Sequence, residues 1–89
     1  MTVRVRFSRQ FRKQYNTSPR NIQIAFDAKL KRFLKNQHDP LLRNHALRGM
    51  LGGLRSINIT GGWRAIFREL PDEKIFFFDA LGTHSQLYR

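Results

Sequence analysis

Hydrophobic and polar residues follow two rhythms along this chain. The first has period two. Thr2-Val-Arg-Val-Arg-Phe7 sets apolar and basic positions in turn, the pattern of a half-exposed strand. After Leu54 three more β-prone runs follow, Leu54 to Thr60, Trp63 to Glu69 and Lys74 to Asp79. Gly61-Gly62 separates the first two, and a Gly-Gly loop between apolar runs signals a primed hairpin turn, whose positive φ glycine accepts at little cost. Pro71-Asp72-Glu73 supplies the next turn, with proline pre-setting φ. The stretch predicts a three-stranded antiparallel meander. Ile75 to Phe78 is apolar on both faces, so its strand is expected to be central, with its second side partly covered by the C-terminal segment.

The second rhythm is helical. Ser8 reads as the N-cap of a short helix from Arg9 to Tyr15, with Phe11 and Tyr15 one turn apart. Ser18-Pro19 reads as a second start, a hydroxyl cap followed by proline at the first helical position. That helix is expected from Pro19 to Asn36, with Ile22, Phe26, Leu30, Phe33 and Leu34 on one face. Gln37-His-Asp-Pro40 ends it, Ala46 to Arg48 predicts a short extra strand, and Gly52-Gly53 a flexible turn. The expectation is a single α+β domain over residues 1–89, with two N-terminal helices packed on one face of a small antiparallel β-sheet. The other face is left free to bind.

A two-residue Gly61-Gly62 loop would set Ile57 opposite Ile66 and Arg55 opposite Arg68. Arg55, Ile57, Ile59, Arg64, Ile66 and Arg68 would then share one face. Opposed like charges weaken a ladder. Such arginines either meet an anion, which the guanidinium fork matches well, or splay into solvent past the isoleucines. Alternation alone does not say which face meets the helices.

Charge sharpens the picture. Seventeen Lys+Arg stand against 6 Asp+Glu in 89 residues, a formal net charge of +11. That field attracts polyanions, chiefly nucleic acid, and equally an acidic protein. The chain has no cysteine, which excludes disulfides and thiolate metal sites and fits a cytoplasmic protein. It has no apolar run of membrane-spanning length and no signal-peptide core, so no membrane role is expected. Of the three histidines, His38 reads as a turn residue, while His45 and His84 lie beside glycine turns and basic residues. Histidine suits proton transfer near neutral pH. Their spacing fits no metal site, and no paired carboxylates, phosphate loop or nucleophile elbow is present.

His45-Ala-Leu-Arg-Gly49, Arg55 to Arg68 and Gly82-Thr-His-Ser-Gln-Leu-Tyr88 together resemble the RelE/ParE toxin superfamily, and most of all its YafQ-like branch. The resemblance covers nearly the whole chain, and Gly82-Thr-His-Ser85 is its most specific part. It implies the toxin of a type II toxin–antitoxin system, a ribosome-dependent endoribonuclease that cuts mRNA in the A site without metal or other cofactor. It implies catalytic roles for His84, His45 and Arg64, and RNA contacts from Arg55, Arg48, Asn58, Trp63, Arg68 and Tyr88. The implied partners are a cognate acidic antitoxin and mRNA on the 70S ribosome, with operator DNA met only through the antitoxin. Three positions depart from the branch: Asn58 replaces a histidine, Gly62 an aspartate and Ala80 an arginine. A ParE-like inhibitor of DNA gyrase, or an attenuated non-catalytic member that binds an acidic antitoxin, is the alternative on the same fold.

Overall fold

Ser8 turns the first strand into the first helix. In the computed structural model, which describes residues 4–88, strand β1 spans Arg4–Phe7 and helix α1 spans Arg9–Thr17. Thr2 and Val3 of the expected first strand lie outside the described residues. The Ser8 hydroxyl accepts from the Phe11 N–H at 2.9 Å and donates to the Asp79 carbonyl oxygen at 2.7 Å. One side chain therefore caps the helix and ties it to the far end of the chain.

Helix α2 spans Arg20–Lys35. Its start differs from the expectation. Ser18 does not cap it, because the Ser18 N–H and hydroxyl both turn back to α1, onto the carbonyls of Tyr15 and Gln14. The cap residue is Pro19, whose carbonyl accepts from the Ile22 and Gln23 N–H groups. Ser18 thus closes one helix and leaves the opening of the next to the backbone alone.

The remaining strands are β2, His45–Ala46; β3, Arg55–Asn58; β4, Trp63–Leu70; and β5, Ile75–Thr83. Short 3-10 turns occupy Pro40–Leu42 and Gly49–Leu51, and a final turn of helix, α3, spans His84–Leu87. The expected strand at Ala46 to Arg48 is displaced toward His45, since Arg48 already opens the 3-10 turn. The sheet order is β1-β5-β4-β3-β2, so the doubly apolar β5 is interior, as expected. One pairing corrects the all-antiparallel expectation: β1 runs parallel to β5. Two helices separate β1 from the meander, so no tight turn forces it antiparallel to its neighbour.

Both helices cover the same face. Phe33 of α2 stacks edge-on against Phe67, Phe76 and Phe78 with centroids 4.9–5.4 Å apart, and Phe11 and Phe26 extend this aromatic layer. Burying such a ring stabilises by about 1.5–3 kcal/mol. The expected stripe is only partly buried: Ile22, Phe26 and Phe33 face inward, whereas Leu34 is exposed.

The β3–β4 hairpin corrects the expected register by one residue. Arg55 pairs with Phe67, Ser56 with Ile66, Ile57 with Ala65 and Asn58 with Arg64. The loop is therefore Thr60-Gly61-Gly62, closed by the Ile59 N–H on the Trp63 carbonyl at 2.9 Å. Neither glycine has positive φ, so no primed turn forms. A one-residue shift carries a strand's side chains to the opposite face. Ile57, Ile59, Ala65 and Phe67 enter the core under the helices, and Ser56, Asn58, Arg64 and Ile66 take the other side. The burial of four apolar groups outweighs the turn preference of Gly-Gly. At Ile66/Phe67 the β4–β5 ladder bulges, leaving Asp79 as the extra residue on β5.

Candidate active site

The face away from the helices carries a cavity of about 630 Å³. His45, Asn58, Arg64, His84 and Tyr88 line it, with Arg43, Asn44 and Leu47 along one wall. Four separate parts of the chain meet there: the segment leading into β2, strand β3, strand β4 and helix α3.

Arg64 is held by the loop beside it. Its Nη1 donates to the carbonyls of Thr60, Gly61 and Trp63 at 3.0, 3.1 and 3.0 Å. The guanidinium thus organises the hairpin tip, and its planar fork is fixed at the cavity edge. The next carbonyl in the loop, Gly62, accepts from the His84 N–H at 2.9 Å, so hairpin and α3 share one network.

Helix α3 is too short to hold itself and depends on local devices. Thr83 and Gln86 form a capping box: the Gln86 N–H donates to the Thr83 hydroxyl at 3.2 Å, and the Thr83 N–H to Gln86 Oε1 at 2.9 Å. Gly82 lets the helix sit close to β5. A Cβ there would fall 2.9 Å from Gln86 Oε1 and 3.3 Å from Leu87 Cδ2. His84 and Tyr88, one turn apart, pack ring on ring with centroids 4.5 Å apart. The Tyr88 hydroxyl donates to Ser56 Oγ at 2.9 Å. Ser56 is fully buried, so this bond pins the end of the chain into the sheet.

His45 is oriented by its own backbone. Its Nδ1 lies 2.8 Å from the Arg43 carbonyl oxygen. A carbonyl only accepts, so Nδ1 carries the proton and Nε2 keeps its lone pair in the neutral ring. Arg43 holds left-handed φ and ψ of 49° and 48°, uncommon for a residue with a Cβ. That conformation aims its carbonyl back at the ring.

The other residues singled out from the sequence lie elsewhere. Arg55 points to the helix side of β3, where its Nε donates to Asn44 Oδ1 at 2.8 Å and so braces the cavity wall from behind. Arg48 is exposed at the start of the second 3-10 turn. Trp63 packs on the core and lines a separate groove with Leu81 and Leu87. Arg68 shares the cavity's face but lies further along β4, its guanidinium 5.2 Å from the Phe77 centroid. His38 is exposed in the turn after α2. Sequence reasoning did not single out Arg43, Asn44 or Leu47. The left-handed turn at Arg43 has no mark in the sequence, since neither glycine nor asparagine stands there. Among the described residues no group of three or more His, Asp or Glu comes together.

No protein-family model matches the chain, and no curated protein does. Solved structures do. YafQ from E. coli superposes with a TM-score of 0.81 at 18% identity, covering 98% of this chain and 99% of that one. The chain has the RelE/ParE toxin fold, in its YafQ-like form. The toxin in the E. coli DinJ-YafQ toxin–antitoxin complex matches at a TM-score of 0.80, 18% identity and full coverage of both chains. A YoeB/ParE toxin from Agrobacterium tumefaciens matches at 0.77 and 13%, over 92% of this chain and 99% of that one. The RelBE2 toxin–antitoxin complex from Mycobacterium tuberculosis matches at 0.68 and 21%, over 94% and 100%. Within that fold the cavity occupies the sheet face that the two helices leave open.

Proposed function

We propose that this protein is the toxin of a type II toxin–antitoxin pair and an endoribonuclease that cuts mRNA in the ribosomal A site. The observation that carries the reading is the gathering of two imidazoles, a fixed guanidinium and an aromatic ring around one cavity of a strongly basic protein. RNA brings its own nucleophile, the ribose 2′-OH, so the protein has only to move protons and stabilise charge.

In this proposal His45 Nε2 takes the 2′-OH proton as the oxygen attacks the adjacent phosphorus. A 2′,3′-cyclic phosphate forms and the P–O5′ bond breaks. His84 gives a proton to the departing 5′ oxygen. Arg64 meets the extra negative charge on the phosphoryl oxygens in the transition state. Each proton transfer contributes roughly 10²–10⁴-fold. Tyr88 offers its ring to a neighbouring base, as recognition of single-stranded RNA favours, and Asn58 offers an amide. Arg55 acts by bracing Asn44, and Arg48 and Trp63 would meet RNA outside the cavity.

The partner reading follows the same line. The E. coli and M. tuberculosis relatives come from complexes with antitoxins. A net charge of +11 favours an acidic antitoxin here, with operator DNA reached only through that partner. The cytoplasm, where ribosomes work, is the expected place of action, and no helix among the described residues is long and apolar enough to cross a membrane. One observation favours an attenuated member instead. Asn58 stands in the cavity where the YafQ-like branch has a histidine, and an amide transfers no proton.

The test is 5′-end mapping of a reporter mRNA in a translating extract, with wild type and His84→Ala. New in-frame ends that need ribosomes and disappear in the variant are expected. A soluble, folded wild type that leaves the message intact would refute the nuclease reading, and inhibition of DNA supercoiling by that protein would establish the gyrase alternative.

A further inference from the structure

The cavity's sheet face does not end at the cavity. Further along the strands, Arg6 of β1, Phe77 of β5 and Arg68 of β4 stand side by side in register. All three are on the face the helices leave open, because their strand neighbours Phe7, Phe78 and Phe67 fill the core. Phe77 is half-buried, and both arginines are exposed. The Arg68 guanidinium lies 5.2 Å from the Phe77 ring centroid, within cation–π range. Neither Arg6 nor Arg68 has a carboxylate partner among the described residues, so two positive charges flank one aromatic ring without internal compensation. That arrangement contributes little to folding.

Arg68 lies four residues from Arg64 on the same strand, about 13 Å at the usual rise. An extended single strand crosses such a gap in about two nucleotides, and successive bases can stack on aromatic and guanidinium planes as it does so. We infer that Arg6, Phe77 and Arg68 form an extension subsite for single-stranded RNA, which holds a nucleotide beyond the cleaved phosphodiester. Phe77 and Arg68 form the platform for a base, and Arg6 meets the adjoining phosphate. This rests on the reading of the cavity as an RNA site. It adds that affinity is set by a longer stretch of message than the two nucleotides flanking the cut.

The test uses the whole protein and 2′-O-methyl RNA, which has no free nucleophile and stays intact. Binding of a trimer and a hexamer is followed by fluorescence anisotropy, with the extra nucleotides added on either side. The wild type should bind the hexamer extended on one side roughly tenfold more tightly than the trimer, the size of one stacked base. Phe77→Leu keeps an apolar residue on the strand and should erase that gain while leaving trimer affinity unchanged. Arg6→Gln, at an exposed position, should lower the hexamer's salt slope by about 0.7, one phosphate contact on a single strand. A length gain that survives in both variants overturns the subsite. So does a wild type without any length gain whose ribosome-dependent, His84-dependent cleavage is intact, and in that case the cavity reading stands alone. Failure of both oligonucleotides to bind, together with absence of cleavage, removes both.

Discussion

Replacing Tyr88 by phenylalanine deletes one oxygen and should loosen the helix that carries His84. The lost bond, from the Tyr88 hydroxyl to Ser56 Oγ at 2.9 Å, is worth about 1 kcal/mol net. The larger effect is on what remains. Ser56 is fully buried in β3, and a hydroxyl left there without its partner costs about 1–3 kcal/mol. Ser56→Ala removes the other end of the same bond, and in the double variant neither group is stranded. The double variant should therefore be more stable than the two single losses add up to, with a coupling of about 1 kcal/mol. Thermal unfolding of the four proteins by circular dichroism measures this. At this chain length 1 kcal/mol moves Tm by about 4–8 °C. Hydrogen exchange at the Tyr88 amide, bonded to the His84 carbonyl at 3.0 Å, should quicken in Tyr88→Phe. Strictly additive losses, with coupling below about 0.3 kcal/mol, would refute the claim that this bond seats the helix.

Gly82→Ala should push Gln86 off its cap. The new Cβ would stand 2.9 Å from Gln86 Oε1, and losing the capping box costs about 1 kcal/mol, so Tm should fall while cleavage falls further than stability alone explains. The alkaline limb of the stability profile should depend on Tyr15. Its hydroxyl donates to both Asp27 carboxylate oxygens at 2.9 and 3.1 Å, and that bond, aided by burial, raises its pKa above the ordinary tyrosine value. The raised value means the contribution is fully present below pH about 10 and is lost as pH climbs through the folded-state pKa. Denaturant unfolding across that range should show a downturn in wild type and a flatter profile in Asp27→Asn, and identical profiles would count against the pair.

The elements were legible where local chemistry and packing agree. Ser8 announces α1 because its hydroxyl has a donor three residues on, and Ile75 to Phe78 announces an interior strand because both of its faces must be covered. The α2 cap departs from the expectation because Ser18 has two possible helices to serve and a sequence does not say which it chooses. Parallel pairing of β1 with β5 was invisible for a related reason: it is settled by how two intervening helices fold back, not by any residue of either strand. Helix α3 leaves no mark in the sequence because four residues make no period, and its capping box acquires meaning only once Gly82 brings it against β5.

The site turned on a single residue of loop length. Read as a two-residue turn, Gly61-Gly62 gathers Arg55 and Arg64 on one face and sends Asn58 to the other. The observed three-residue loop reverses this: Asn58 joins Arg64 at the cavity, and Arg55 goes behind it to hold Asn44. The decision lies in the core. Only this register buries Ile57, Ile59, Ala65 and Phe67 together under Phe33, and each large apolar side chain contributes about 1.5–3 kcal/mol, more than a turn preference can oppose. The hydrophobic pattern thus selects which polar residues reach the cavity. The loop left over supplies the Thr60 and Gly61 carbonyls for Arg64, joined by that of Trp63 at the start of β4, and the Gly62 carbonyl for the His84 N–H. The place of Arg64 at the cavity is in this sense a consequence of packing on the opposite side of the sheet. Substitutions that alter the inner face of β3 should disturb the site without touching any residue in it.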